Sequence, residues 1–414
     1  AATPCVAYKL LMNSKALVLT LCVLSAALSY AEPRPANWEK LSVDQRVEWL
    51  LSQMTLEEKI DQMHVQPRKE KNIKGLGMMS QPWNERLGIP PMLCADGPRG
   101  PRSTGPIPKE NRVVKNPNRG ATSPTALCFA STWNADIAYE AGRQWGMLTK
   151  EYGLNVLYTP GVNIIKDPRA GRNNEYAGED PLFTGKVGAG IVKGLQSVGV
   201  AGCAKHFIVN NWESGRTAHD VQVAPRPLRE IYLPAFRICV EEANVWSMMT
   251  SYNQVNGQWC GSNKEAMIDI ARKEWGYDGF FVSDWGAGAA LAHIMMKAGM
   301  NLELPGNKRM RHDMISGAIK EGKLTEDDVD RRVGELLRVK LKYLNYFGED
   351  TPSGYDRKAF EKMMYHAAVE GAVLLKNENA TLPLSSESSV ALIGPAAAAE
   401  TSTAADNGNS TVRP

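Results

Sequence analysis

Residues 279–287 of this 414-residue chain read GFFVSDWGA. The segment is a short apolar run, typical of a buried strand, that ends in the carboxylate of Asp284 beside the indole of Trp285. Similar apolar runs recur along the chain, and most of them are also followed by a polar side chain. The strands predicted in this way are 91–95, 155–159, 200–206, 245–251, 279–283 and 300–304, with a weaker one at 73–79.

Stretches of helical length separate these strands. They are 134–151, 183–197, 228–242, 264–273, 287–297 and 308–321, and a further long helix is predicted at 325–347. Strands that alternate with helices in this way predict a parallel sheet covered by helices. Residues 41–341 suit a closed (β/α)8 barrel, which takes about 250 residues. An open doubly wound sheet is the alternative.

The positions of the polar residues favour the barrel. Side chains able to do chemistry follow nearly every predicted strand: Asp96, Asn163, Arg172, Lys205, His206, Tyr252, Asp284 and Glu303. In a closed barrel the carboxyl ends of the strands meet at one face, whereas an open sheet would spread these groups along a crevice. We therefore predict an α/β fold, a (β/α)8 TIM-like barrel with its site at the carboxyl ends of the strands.

Composition narrows the class of protein. The chain has 48 Lys and Arg against 45 Asp and Glu, a net charge of +3, which argues against nucleic acid as a partner. No C-x-x-C or other metal signature is present, so no metal or other cofactor is expected. The cysteines downstream of residue 31 lie mostly in apolar runs and are interpreted as buried small hydrophobes without a structural disulfide: Cys94, Cys128, Cys203, Cys239 and Cys260.

The amino-terminal region resembles a targeting segment. Residues 16–28 are apolar, Lys15 precedes them, and the small residues Ser29 and Ala31 suit signal peptidase. We interpret 12–31 as a signal peptide and 1–11 as extra upstream residues; a retained signal-anchor is the alternative. The apolar run is shorter than the roughly 20 residues that span a bilayer, so we expect a secreted or periplasmic protein without stable membrane insertion. The oligomeric state stays open.

Together with RKEWGYD at 272–278, the segment 279–287 closely resembles the nucleophile signature of glycoside hydrolase family 3, the β-glucosidase and β-xylosidase group. Other motifs of this family follow in the same order, from about residue 41 into the C-terminal tail. They are DGPRG at 96–100, GRNNEYAGEDP at 171–181, KHF at 205–207, LREIYL at 228–233, YNQVNG at 252–257, and AG at 298–299 with ELPG at 303–306. Each alone is weak evidence, but their shared order makes a chance match very improbable.

The resemblance implies a domain organisation. Residues 32–350 would form the family's N-terminal TIM-like barrel, 351–389 a linker, and 390–414 the beginning of a truncated C-terminal α/β domain. A predicted strand at 390–394 supports this interpretation, because a single parallel strand cannot bury itself. In glucosidase-like members the general acid is a Glu on the second domain, so we expect this chain to lack its acid.

The resemblance also implies a reaction. We expect a retaining, exo-acting β-glucosidase that removes terminal non-reducing β-D-glucosyl residues from a glucoside or a β-linked oligosaccharide through a covalent glycosyl-Asp284 intermediate. A β-xylosidase of the same family is one alternative. The other is a sugar-binding fragment that cannot catalyse because it lacks the general acid. Nearby cations are expected to keep Asp284 ionised at neutral pH.

Seven further positions match residues that bind substrate in this family: Asp96, Arg172, Lys205, His206, Arg216, Tyr252 and Trp285. For four of the site residues a structural interpretation remains open, namely a helix cap at Asp284, a turn residue at Asp96, a core histidine at His206 and packing at Trp285. Four acidic residues are expected to form salt bridges with the sugar-binding cations: Glu175, Glu179, Glu213 and Glu303. The chain departs from the family at Asn301, commonly Asp, and at Asn174, commonly aromatic, and these two differences leave the fine substrate preference open.

Overall fold

The computed structural model describes residues 33–63, 80–81, 84–101, 108–109, 112–113, 123–287, 290–306, 308–344, 352–394, 402–404 and 410–412. Its main sheet has six strands in chain order: β1 (Ser80–Gln81), β2 (Met92–Asp96), β3 (Val156–Tyr158), β4 (Ala201–Phe207), β5 (Ser247–Thr250) and β6 (Phe280–Ser283). Neighbours from β2 to β6 are parallel, as predicted, whereas β1 is antiparallel to β2. The antiparallel β1 is a difference from a strict (β/α)8 pattern.

The sheet curls beyond β6. The predicted strand at 300–304 runs alongside it as a parallel bridge from Val282 to Leu302, and the Ser283 amide donates to the Leu302 carbonyl at 2.9 Å. The next amide, that of Glu303, donates to the carbonyl of Met63 at 3.0 Å, in the segment that precedes β1 in the chain. The curled parallel sheet confirms the predicted α/β barrel class. The predicted strand at 73–79 lies outside the described residues.

Helices surround the sheet. The α-helices are α1 (Val43–Gln53), α2 (Leu56–Asp61), α3 (Ala126–Ser131), α4 (Ala135–Glu151), α5 (Pro181–Ser197), α6 (Pro234–Glu241), α7 (Ala292–Ala298), α8 (His312–Lys320), α9 (Glu326–Lys342) and α10 (Arg357–Glu370). Shorter helical segments are Trp38–Lys40, Asn173–Glu175, Pro225–Pro227, Cys260–Ser262 and Glu378–Ala380, and two stretches are π-helical, Leu228–Tyr232 and Glu265–Glu274. Small strand pairs or triplets lie at Pro108–Lys109 with Arg112–Val113, at Asp220–Val221, Gln254–Val255 and Gln258–Trp259, and at Ser402–Ala404 with Ser410–Val412.

Local sequence explains the helix boundaries. Asp180 caps α5 by accepting from the Phe183 amide at 2.7 Å, and Pro181 occupies the first helical position. The helix predicted at 228–242 is not continuous: Pro234 has no N–H to continue the helical ladder, so a π-helical stretch ends there and α6 begins.

The strands place alternate residues on opposite faces. In β3, Val156 and Tyr158 point into the barrel interior, whereas Leu157 packs into the helical layer. In β6, Val282 belongs to the interior and Phe281 to the helical layer. Because side chains alternate between the two faces of a strand, the position of the last residue in the strand determines whether its side chain points into the barrel mouth or away from it.

The cysteines behave as the sequence predicts. All five described cysteines are free thiols, and four of them are buried: Cys94, Cys203, Cys239 and Cys260. Cys128 is partly buried against α10. Within the part of the chain that the structure describes, no helix is both long enough and apolar enough to cross a membrane. The proposed signal peptide at 12–31 lies outside that part.

The predicted strand at 390–394 is exposed, with Ile393 92% accessible, and it pairs with no strand among the described residues. The linker helix that precedes it, α10, was not predicted. It packs Phe360 and Met364 against the helical layer of the barrel, so residues 357–370 belong to the barrel's outer surface.

Lys340 is buried near the amino-terminal end of β2, opposite the predicted site at the carboxyl ends of the strands. This lysine on α9 is buried, and its Nζ donates to Gln62 Oε1 at 2.8 Å and to the Pro90 carbonyl at 3.0 Å. Burial lowers the pKa of Lys340 from 10.5 to about 7. The ammonium is therefore disfavoured in the folded protein by desolvation.

Lys340→Met should remove a pH dependence of stability. Because the folded-state pKa lies below the unfolded value, the unfolded chain binds the extra proton between about pH 7 and pH 10, and wild-type stability rises with pH in that window. The difference in unfolding free energy, wild type minus variant, should rise with pH through this window by up to about 1.4 kcal/mol per pH unit. Urea denaturation at pH 7, 8 and 9 measures it. Lys323→Met, on the exposed surface, serves as the control, and a difference that stays constant from pH 7 to 9 would contradict the assignment.

Candidate active site

The carboxyl ends of four strands bring the predicted residues together. Asp96 ends β2, Lys205 and His206 lie near the end of β4, and Asp284 directly follows β6. Tyr252 follows β5 after Ser251, whose amide donates to the Phe207 carbonyl at 2.8 Å. These side chains meet because parallel strands present their carboxyl ends at one face of the sheet.

Buried charges of alternating sign form the floor of the site. Lys205 Nζ donates to Asp96 Oδ1 at 2.7 Å and lies 3.9 Å from Glu175 Oε2. Arg172 binds Glu175 with two hydrogen bonds, from Nε at 2.9 Å and from Nη2 at 2.7 Å. Lys205, Arg172 and Glu175 are all buried. Two cations and two carboxylates thus offset one another where unpaired charges would be very costly.

His206 is a neutral imidazole in this charged setting. Its Nε2 lies 2.8 Å from Arg172 Nη2, and its Nδ1 lies 3.3 Å from the Tyr176 hydroxyl. Burial, reinforced by the charges of Arg172, Lys205 and Arg216, holds the pKa of His206 well below its usual range. The core-histidine interpretation is right about its burial, yet His206 Nε2 also lies 3.6 Å from Asp284 Oδ2.

Asp284 is held by one of its two oxygens. Its Oδ1 accepts the Trp285 amide at 2.6 Å, while its Oδ2 is buried and has no hydrogen-bond partner among the described residues. The helix-cap interpretation of Asp284 is wrong, because the next helix, α7, begins at Ala292 and is preceded by Leu291. Asp284 therefore presents a free carboxylate oxygen to the barrel mouth.

Burial raises the pKa of the Asp284 carboxyl above its ordinary value. Arg172, the Trp285 amide, Lys205 and Arg216 act in the opposite direction and favour the carboxylate. The cations act as the sequence predicts, but desolvation outweighs them in setting the direction of the shift.

Arg216 and Tyr252 flank the turn formed by Asp284 and Trp285. Arg216 Nη1 donates to Glu213 Oε2 at 2.6 Å, and its guanidinium carbon lies 4.2 Å from the centre of the Tyr252 ring. The Tyr252 hydroxyl donates to the Trp285 carbonyl at 2.7 Å. Trp285 is thus held from both sides of its backbone, by Asp284 at its amide and by Tyr252 at its carbonyl.

Two predicted residues remain, Trp285 and Asp96. The Trp285 side chain is 37% exposed at the rim, where an indole is able to stack on a sugar. The turn interpretation of Asp96 agrees with the structure, because its Oδ1 accepts the Gly97 amide at 3.0 Å; the same oxygen also accepts the Lys205 ammonium.

The salt-bridge predictions are confirmed for two of the four acidic residues. Glu175 pairs with Arg172, and Glu213 pairs with Arg216 and lies 3.6 Å from Arg172 Nη1. Glu303 instead accepts the backbone amides of residues 309 and 310 at 3.0 Å, so it orders this loop. Glu179 is exposed and forms no salt bridge with the described residues.

Asn301 lies away from the site. It is fully buried, its Oδ1 accepts the Phe281 amide at 2.8 Å, and its Nδ2 donates to the Arg332 carbonyl at 2.9 Å and to Glu335 at 2.7 Å. Asn301 links β6 to α9 and contributes to the packing of the barrel wall.

The sequence alone does not show how Asn163 and Tyr176 contribute to the site. Asn163 clamps the backbone of His206, donating to its carbonyl at 3.0 Å and accepting from its amide at 2.7 Å. Tyr176 contacts the His206 ring. Asn163 follows the β3 strand and Tyr176 lies inside the 171–181 motif, but neither position indicates which atom it contacts. Within the described residues, no group of three or more His, Cys, Asp or Glu side chains is arranged to hold a metal ion.

Comparisons with known proteins agree with this geometry. The family model for the glycosyl hydrolase family 3 N-terminal domain matches residues 84–339. Thermostable beta-glucosidase B of Acetivibrio thermocellus is 35% identical over 83% of this chain and 44% of its own length. Beta-glucosidase B of Emericella nidulans is 36% identical over 84% of this chain and 40% of its own length.

Solved structures show the same likeness. That of beta-glucosidase 3B from Thermotoga neapolitana in complex with glucose superposes with a TM-score of 0.75 at 37% identity, over 82% of this chain and 48% of that one. The chain therefore spans less than half the length of each of these relatives.

Glu175→Gln should destabilise the protein by about 3 kcal/mol, because it leaves Arg172 and Lys205 buried with one carboxylate fewer. Urea denaturation at pH 7 measures the loss. Glu230→Gln is the matched control: it removes a carboxylate from an exposed pair with Arg226 and should cost less than about 1 kcal/mol. Equal effects of the two substitutions would contradict the role given to the buried charges.

Proposed function

This chain belongs to glycosyl hydrolase family 3, and from that membership we propose that it is the catalytic barrel of a retaining, exo-acting β-glucosidase. The substrate is a glucoside or β-linked oligosaccharide, cleaved at its terminal non-reducing β-D-glucosyl residue. One observation carries the proposal: the buried, unpartnered Oδ2 of Asp284 at the barrel mouth, among cations that favour its ionised form.

Asp284 is the nucleophile in this proposal. A retaining glycosidase needs an ionised carboxylate that attacks the anomeric carbon. Hydrogen bonding of Oδ1 to the Trp285 amide fixes the carboxylate plane and leaves the lone pairs of Oδ2 available. Arg172, Lys205 and Arg216 offset part of the cost of burying its charge.

Charged side chains bind the sugar hydroxyls. The side chain of Asp96 is 18% exposed beside the buried Lys205, so a hydroxyl is able to accept from the ammonium and donate to the carboxylate. Arg172 and Arg216, which both lie near Glu213, supply further donors. Trp285 at the rim offers its ring face to a sugar.

The reaction has two steps. Asp284 Oδ2 forms a bond to the anomeric carbon as the bond to the leaving-group oxygen breaks, and that oxygen takes a proton from the general acid. Water then attacks the anomeric carbon, gives up its proton to the residue that acted as general acid and is now a base, and releases Asp284 as a carboxylate. We infer from the family resemblance that the general acid lies on a second domain, and general acid catalysis commonly contributes about 10²- to 10⁴-fold.

The β-xylosidase alternative shares every residue named above. It differs in how much room the site leaves for the hydroxymethyl group of glucose. Both curated relatives described above carry glucosidase names, and the structural neighbour is a glucosidase bound to glucose, which supports glucose over xylose. Relative labelling by the corresponding fluoroxyloside separates the two.

Incubation with 2,4-dinitrophenyl 2-deoxy-2-fluoro-β-glucoside should label Asp284. Its leaving group needs no general acid, so the outcome does not depend on where the acid resides. Intact-mass spectrometry should show one fluoroglucosyl adduct, and peptide mapping should place it on Asp284. Asp327→Asn, an exposed substitution on α9, should label like the wild type, and Asp284→Asn should not label at all.

Two other results would contradict the proposal. An adduct on a different carboxylate would remove Asp284 from the role of nucleophile. Absence of any adduct, with glucose binding retained in a calorimetric titration, would leave the chain as a sugar-binding protein without catalysis.

A further inference from the structure

Tyr176 is buried beside the charged floor of the site. Its hydroxyl lies 3.3 Å from His206 Nδ1 and 3.4 Å from the carbonyl of Asn210, and its ring meets the imidazole edge-on. Nothing in the reaction described above uses this phenol. A phenylalanine would fill the same space without the oxygen, so the hydroxyl needs its own explanation.

The donors around His206 determine where its proton lies. Arg172 has only donors to offer, so the 2.8 Å contact from its Nη2 requires His206 Nε2 to accept. A neutral imidazole carries a single ring proton, which must then be on Nδ1. That proton points to the Tyr176 oxygen, and the Tyr176 proton in turn goes to the Asn210 carbonyl.

The tautomer matters because of what faces Nε2. Asp284 Oδ2 lies 3.6 Å from this nitrogen. In the other tautomer Nε2–H would donate to Oδ2 and occupy a lone pair on the oxygen that attacks. The Tyr252 hydroxyl donates to the Trp285 carbonyl at 2.7 Å.

We propose that Tyr176 is a positioning residue: it accepts the Nδ1 proton of His206, holds that tautomer, and so leaves Asp284 Oδ2 free for nucleophilic attack. The role of Tyr176 rests on the proposed function of Asp284. Asn163 fixes the backbone of His206 but does not contact its ring nitrogens, so the tautomer depends on Arg172 on one side and Tyr176 on the other.

The tautomer is directly measurable. Nitrogen-15 histidine labelling of the chain and long-range proton–nitrogen spectra distinguish Nδ1–H from Nε2–H, and the His206 signal is assigned by its loss in His206→Gln. The wild type should show Nδ1–H. In Tyr176→Phe the Nε2–H form should gain population, since Nδ1–H has lost its acceptor.

Kinetics supply the second readout. Labelling by the fluoroglucoside should slow about tenfold in Tyr176→Phe, the size of effect expected for one hydrogen bond, while glucose affinity changes little. Tyr277→Phe is the matched control, because it also removes a buried hydroxyl bonded to a backbone carbonyl, that of Phe280 at 2.6 Å, with no contact to His206. It should leave both the tautomer and the labelling rate unchanged.

Each result decides the question. Nε2–H in the wild type overturns the proposal, and this measurement needs no variant to fold. Nδ1–H that persists unchanged in a folded Tyr176→Phe overturns the role of Tyr176. Absence of labelling in the wild type counts against the proposed function of Asp284, whereas the tautomer is read from the spectra with no turnover required.

Discussion

The barrel mouth depends on burying two cations without leaving either of them unpaired. Lys205 on β4 points into the barrel, where an isolated ammonium would be too costly to keep. Asp96 from β2 and Glu175 from the loop before α5 supply the compensating charge, and Glu175 also binds Arg172. These contacts therefore connect β4 to β2, which is not adjacent to it in the sheet, and to the loop before α5. They also fix the positions of the groups around Asp284.

The chemistry of the site follows from this arrangement. Arg172 donates hydrogen bonds to both Glu175 and His206. It therefore compensates the charge of Glu175, and it requires the neutral imidazole of His206 to accept through Nε2. Asp284 lies against that imidazole with one oxygen bound and the other free. Burial disfavours the charged form of Asp284, and the nearby cations offset part of that cost. A carboxylate in such surroundings is suited to act as a nucleophile.

The sequence predicts the strands from their apolar runs, and it predicts the polar residues that follow each strand from their order in the chain. Because the strands are parallel, these residues are expected at one face of the barrel. The sequence predicts less well which partner each side chain finds. Glu303 and Glu175 look alike in the sequence, yet one accepts backbone amides and the other binds Arg172. Asn301 resembles a site residue by motif but lies in the wall between β6 and α9. The role of Tyr176 depends on the direction of three hydrogen bonds, which no sequence pattern encodes.

A crystal structure of the chain trapped with the 2-fluoroglucosyl group tests the central claim most directly. The account predicts an ester bond from the anomeric carbon to Oδ2 of Asp284, with Oδ1 still accepting the Trp285 amide and Asp96 and Lys205 bonded to sugar hydroxyls. A sugar attached through Oδ1 would contradict the free-oxygen geometry. A sugar attached to any other carboxylate would contradict the assignment of the nucleophile itself.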